Sequence, residues 1–256
     1  MKKIFFFLII SLPSTVDADV SINSHGNIEY SGSITEAKND VVFALYDNAP
    51  IKPKRLIISS PGGVVEYGIQ LGEWIINNLL DVEVGDYCMS SCANYVFLAG
   101  NNKILSKHSL LGWHGGLLQR LELPFTDRTY LKDISRLTQQ CDLERFKEKY
   151  RGKLAFPFGR FHKRECLLMQ STGIDYRIMV FGQYEKHRIN AYQMGFWSYE
   201  LDALAALGVT NIILKEGTWQ PPRSINKAVV LFINAEDIRT MNTFRSHGSL
   251  LYFIPK

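Results

Sequence analysis

Leu56-Ile57-Ile58-Ser59-Ser60-Pro61-Gly62-Gly63 sets a short apolar run directly before a proline and two glycines. Three large aliphatic residues in a row read as a buried strand, and Pro-Gly-Gly as the tight turn that ends it. The period then changes. Over residues 64–80, Val65, Ile69, Gly72, Ile76 and Leu79/Leu80 recur at helical spacing. Gly68 and Gly72, four apart, predict a close approach of this helix to the sheet. Val82-Glu83-Val84 is a second short strand, and residues 92–99 are apolar, helix-compatible and closed by Gly100 as a C-cap. Ile104-Leu105 and residues 110–113 add strand pieces. The alternation of strand and helix predicts an α/β fold with βαβ crossovers and a largely parallel sheet.

Beyond this region the pattern weakens. Leu131, Ile134, Leu137 and Cys141 make residues 129–149 read as one exposed amphipathic helix. Residues 151–190 are mixed and aromatic, without a clear period. Residues 200–207 form a helix ending at Gly208, and a strand follows at 209–214. Pro221-Pro222 breaks the chain, after which residues 228–234 and 249–254 read as a terminal β ribbon. The resulting division is a leader at 1–18, an α/β domain at 19–216 and a small β-rich C-terminal appendage at 217–256.

The leader has a positive start at Lys2 and Lys3, a short apolar core from Ile4 to Leu12 and small residues around Val16-Asp17-Ala18. That is a secretory signal pattern, too short to span a bilayer, with an uncleaved anchor as the competing reading. The expected location is therefore exported, periplasmic or secreted, with no membrane span after cleavage. A hydrophobic content of 46% with 21% charged residues describes a globular chain rather than a disordered one. The net charge of +4 carries no dense basic stripe with interleaved aromatics, which argues against nucleic acid as a partner. Four cysteines, Cys88, Cys92, Cys141 and Cys166, predict two disulfides, Cys88 with Cys92 being one way to pair them. A zinc site at Cys88 and Cys92 is the alternative, but no second close Cys/His pair completes it, so no metal is expected.

Three parts of a hydrolytic site lie in order along the strand-rich region. Pro61-Gly62-Gly63 can present backbone N–H groups to an oxyanion, and a serine in Ser90-Ser91-Cys92-Ala93-Asn94 stands at a helix start. His114, in Gly112-Trp113-His114-Gly115-Gly116, can carry the proton. The bland readings are a helix N-cap for the serine, a structural histidine in a glycine-flanked turn, and a simple strand-to-helix turn for the glycines. Phe156, Phe158, Phe161, Tyr176 and Tyr184 read as core or interface rather than cleft.

These residues resemble the Clp protease proteolytic subunit and its relatives in the Clp/crotonase superfamily. Residues 56–63 match the strand and Ser-Pro-Gly-Gly loop of that family. Residues 91–100 match its nucleophile helix, with Ser91 first and Gly100 last, and Trp113-His114 falls where the family has its base. The resemblance implies a ββα superhelix with repeated βαβ units and an exported serine hydrolase acting on peptide or protein substrates. It implies Ser91 as nucleophile, His114 as base and the N–H groups of Gly63 and Cys92 as oxyanion donors, with Pro61 and Gly62 in the substrate-binding loop. No cofactor is needed, and a homo-oligomer is implied.

The sequence departs from the family at the third catalytic position, where Gly195-Phe196-Trp197 stands and no carboxylate does. Glu200, Asp202, Asp175 and Glu185 are the nearest candidates, and the third partner stays unassigned. A shift of one residue would make Ser90 the nucleophile. The missing acid also leaves open a catalytically inactive binding or scaffold protein of the same fold. An acyl-CoA hydratase or isomerase of the crotonase branch is disfavoured, because an exported enzyme would not meet coenzyme A.

Overall fold

The structure, a computed structural model, describes residues 19–122, 126–184, 196–225 and 228–243. It is mixed α/β. Strands β1 (Val20–Ile22) and β2 (Ile28–Ser31) are followed by α1 (Glu36–Asn48), β3 (Arg55–Ser60), α2 (Val65–Asn77) and β4 (Asp81–Met89). A π-helix at Cys92–Phe97 leads to β5 (Lys103–Leu105) and β6 (Leu110–Gly112). Then come α3 (Arg128–Gln140), α4 (Leu143–Tyr150), α5 (Arg160–Thr172), β7 (Trp197–Tyr199), α6 (Leu201–Ala206) and β8 (Ile212–Leu214). Short strands β9 (Ser224–Ile225), β10 (Ala228–Val229) and β11 (Leu231–Ile233) precede α7 (Ala235–Thr243).

The main sheet runs β1-β2-β3-β4-β5-β8, with β6 also on β4. Only β1 and β2 pair antiparallel; every other pairing in it is parallel. Strand β4 is nine residues long, far more than the three residues legible in the sequence, and it organises the site. Its first half pairs β5 through Val82–Val84 and its last part pairs β6 through Tyr87–Met89. The strand that ends at the serines therefore lies beside the strand that ends at His114.

Strand β3 alternates. Leu56, Ile58 and Ser60 are buried and their neighbours are half-buried, so one face, not two, is sealed. Leu56, Ile58, Val82 and Val84 form the sheet's contribution to the core. On the adjoining strand, buried Glu83 is held by Arg55 at 2.9 Å and Lys215 at 2.6 Å. Helix α2 sets Gly68, Ile69, Leu71, Gly72 and Ile75 inward. Its two glycines face the π-helix rather than the sheet. A Cβ on Gly68 would lie 2.7 Å from the Tyr95 ring and 2.9 Å from Ser91 Cβ, and one on Gly72 would lie 2.6 Å from the Tyr95 carbonyl oxygen.

The single helix expected over 129–149 is two. Cys141, at φ +44°, ends α3 by donating its N–H to the Leu137 carbonyl, and Asp142 caps α4 by accepting from the Arg145 N–H. Cysteine 141 is bonded to Cys166 of α5, and Cys88 is bonded to Cys92. The aromatic stretch without a legible period forms α5 and two 3₁₀ turns, Tyr176–Met179 and Phe181–Gln183. Of the expected C-terminal ribbon only residues 228–234 are among those described, and there β10 pairs antiparallel with β9. Strand β11 runs parallel to β7 and continues into α7, which packs on α6. Residues 249–254 and the leader at 1–18 lie outside the described residues. Among the described residues no helix is long and apolar enough to cross a membrane.

Candidate active site

Strand β4 ends at Met89, and the chain enters the π-helix through Ser90 and Ser91. Ser90 adopts φ +55°, a left-handed conformation that costs a non-glycine residue about 1–2 kcal/mol. Its N–H donates to the Gly112 carbonyl and its carbonyl accepts from the Asn94 N–H, each at 2.8 Å. The Cys88–Cys92 disulfide spans the same turn. A strained backbone fixed from both sides and bridged across is a place where the fold over-determines one side chain's direction. Here it aims Ser90 at His114: the hydroxyl Oγ lies 2.6 Å from the imidazole Nε2.

His114 follows β6 and Trp113. Trp113 and Trp197 exchange backbone hydrogen bonds of 2.8 and 2.7 Å, which anchors the chain just before the histidine. The residue is exposed at its rim, yet its ring is crowded by protein. That desolvation lowers its pKa below the ordinary histidine value, opposed in part by a hydrogen bond to its own backbone. A neutral imidazole with Nε2 free of a proton accepts from the serine hydroxyl.

Ser91 takes a different place. It is 2% exposed, and its Oγ donates to the Gly63 carbonyl at 2.9 Å. The side chains thus pair His114 with Ser90, one residue before the serine singled out by counting back from Gly100. Matching ten residues to Gly100 puts the serine at 91, and the one-residue shift named with it puts it at 90. Cys92, expected to supply an oxyanion N–H, is fully buried inside this helix, with its sulfur in the disulfide.

The glycine loop lies directly against these serines. Gly62 donates its N–H to Ser60 Oγ at 3.0 Å, and its carbonyl accepts from the Ile34 N–H at 2.8 Å. Gly62 has φ +95°. A Cβ there would fall 2.7 Å from both Met89 O and Ser90 Cβ and 2.9 Å from Ser91 N. Only glycine therefore lets the loop backbone approach the Ser91 amide. That amide stands in the first turn of the helix, where N–H groups lack intrahelical acceptors. The structure brings Pro61, Gly62, Gly63, Ser90, Ser91 and His114 into one neighbourhood.

No carboxylate among the described residues bonds the His114 ring. At the family's acid position, Phe196 packs against Gly112 and Trp197 pairs with Trp113. Asp175 accepts from Ser135 and Arg177, Glu200 from Arg223, and Asp202 is exposed on α6. Glu185 and Gly195 lie outside the described residues. Two amides that sequence reasoning missed touch the histidine's main chain instead. Asn94 Nδ2 donates to the Gly115 carbonyl at 2.8 Å, and Gln183 Nε2 to the His114 carbonyl at 2.9 Å. A lone amide within the apolar stretch 92–99 was a usable signal for Asn94. Gln183 sits in a segment without period and offered none.

No protein-family model and no curated protein matches the sequence. Among solved structures, the ClpP protease catalytic domain from Plasmodium falciparum aligns at 13% identity with a TM-score of 0.28. The alignment covers 32% of this chain and 52% of that one, about half its length. At that TM-score the likeness carries no argument about the fold or the site.

Proposed function

We propose that this protein is an exported serine hydrolase of the Clp type that cleaves peptide bonds. Ser90 is its nucleophile and His114 its base. The single observation that carries this reading is the 2.6 Å approach of Ser90 Oγ to His114 Nε2, with Ser90 fixed at φ +55°. In the proposed cycle His114 Nε2 takes the hydroxyl proton as Ser90 Oγ attacks the substrate carbonyl carbon. The imidazolium then gives that proton to the leaving amine, and water, activated by the same imidazole, releases the acyl group. The N–H groups of Ser91 and Gly63 serve the oxyanion, since the amide directly after the nucleophile is the one a helix start leaves available. Desolvation of His114 favours the neutral base this cycle needs.

Export and homo-oligomerisation belong to the same reading. The leader pattern and the two bonded cysteine pairs are compatible with an oxidising compartment. Relatives of the resembled family assemble as oligomers, and residues 117–190 are the proposed place for contacts and specificity.

One observation favours a second reading, a scaffold that kept the fold without catalysis: among the described residues His114 has no carboxylate partner. A fluorophosphonate separates the two. The hydrolase reading expects covalent labelling of the mature protein, lost in Ser90→Ala. A folded protein that stays unlabelled favours the scaffold.

A further inference from the structure

We infer that Asn94 and Gln183 are positioning residues that hold His114 through its main chain, in the place where related enzymes orient the ring with an acid. The inference rests on the reading of Ser90 and His114 as a catalytic pair. Both amides meet carbonyl oxygens, so each must turn its NH2 toward the histidine segment. Each then leaves its own carbonyl oxygen, Asn94 Oδ1 and Gln183 Oε1, buried without a hydrogen-bond partner among the described residues. Asn94 is 3% and Gln183 6% exposed. An orphaned buried acceptor is destabilising, and a fold that tolerates two of them around one short segment requires a reason.

That reason is the pair of glycines directly after His114. Gly115 has φ +145°, and with Gly116 it forms a hinge that by itself would let the histidine wander. The two amides pin the successive carbonyls of His114 and Gly115, one on each side of the Gly115 Cα. Asn94 does more, because its own backbone N–H donates to the Ser90 carbonyl at 2.8 Å. A single residue therefore ties the nucleophile's main chain to that of Gly115, the residue directly after the base. Gln183 completes the frame from the second 3₁₀ turn and also lies 3.2 Å from Gln119 Oε1.

The test uses the full mature protein. Gln183→Met and Asn94→Leu keep size and remove the donor. Saturation kinetics of fluorophosphonate labelling, thermal midpoints and ¹⁵N spectra of the His114 ring are recorded for each. The inference expects the maximal labelling rate to fall at least tenfold with the probe's half-saturation concentration unchanged. The His114 ring signals should shift or broaden while the thermal midpoint moves by a few degrees only. A purely structural role would leave the ring signals of the folded variants as in the parent, with rates within twofold, and that result overturns the inference. If a variant does not fold, side-chain amide exchange in the parent protein decides: slow exchange of the Asn94 and Gln183 NH2 protons is expected, and exchange at solvent rates overturns it. If the parent itself does not label, the hydrolase reading fails, and the ring signals with the amide exchange still judge whether these two residues hold His114.

Discussion

Ser91 Oγ donates to the Gly63 carbonyl at 2.9 Å, so the serine beside the proposed nucleophile Ser90 fastens the glycine loop to the start of the π-helix. Two adjacent serines thus hold two different jobs. Ser90 faces the histidine, and Ser91 sets the distance between the loop backbone and the amide that follows Ser90.

Removing that fastening should be mild. Ser91→Ala gives up one neutral hydrogen bond, worth about 1 kcal/mol, and leaves Ser90 Oγ in place. We expect labelling to survive, slowed by about tenfold or less, with a small loss of thermal stability. Rate measurements on Ser91→Ala and Ser90→Ala side by side check this, since only the second should be silent.

Acid should switch the site off from the low-pH side. His114 has a pKa below the ordinary histidine value because its ring is desolvated, so it stays neutral, and competent as a base, through neutral pH. Labelling rates should hold to lower pH than an ordinary histidine, of pKa about 6.5, would allow, and then fall as pH drops further. The sign for stability is the same. A base whose pKa is depressed by folding contributes stability that is present above its unfolded pKa and is lost as pH falls through the folded one. A rate profile against pH, with thermal midpoints at each point, reads both.

The two disulfides should separate in their effects. Cys88 and Cys92 are 4 residues apart and Cys141 and Cys166 are 25 apart. On chain-entropy grounds the longer loop contributes more stability, about 3–4 kcal/mol against about 2. The shorter bridge, however, spans the Ser90 turn. Replacing Cys88 and Cys92 by alanine should cost labelling more than melting temperature, and replacing Cys141 and Cys166 the reverse. Paired kinetic and calorimetric measurements on the two double variants decide it.

Gly68→Ala tests the packing beneath the site. Its Cβ would lie 2.7 Å from the Tyr95 ring and 2.9 Å from Ser91 Cβ, closer than van der Waals contact allows. Overpacking of this kind costs about 1–3 kcal/mol, and here it pushes on the helix start. Lower thermal stability and slower labelling are expected together, whereas Gly159→Ala, with open space at its Cβ and an extended backbone, should leave labelling unchanged.

How much of this was legible in the sequence depends on the element. The Leu56–Ile58 strand, the glycine turn, α2 and the order loop, serine, histidine could be read because hydrophobic period and turn chemistry are local. Which of the two serines faces His114 could not, because it turns on the backbone of Ser90 at φ +55°, and nothing in Cys92-Ala93-Asn94-Tyr95-Val96-Phe97 distinguishes a π-helix, with its i→i+5 hydrogen bonds, from an α-helix. The partner of Gly68 and Gly72 was hidden for a related reason, because spacing predicts that a helix face can approach closely but not what it meets. The break at Cys141 rests on one left-handed residue inside an amphipathic pattern that continues across it. Strand β11 pairs with β7 from far along the chain, a contact that no local pattern encodes.

The most direct measurement is fluorophosphonate labelling of the mature protein and of its Ser90→Ala, Ser91→Ala and His114→Ala variants, with the modified residue mapped by mass spectrometry. The account predicts a single adduct on Ser90, absent in Ser90→Ala, strongly slowed in His114→Ala and retained in Ser91→Ala. An adduct on Ser91, or a folded protein with no adduct on any serine, would contradict it.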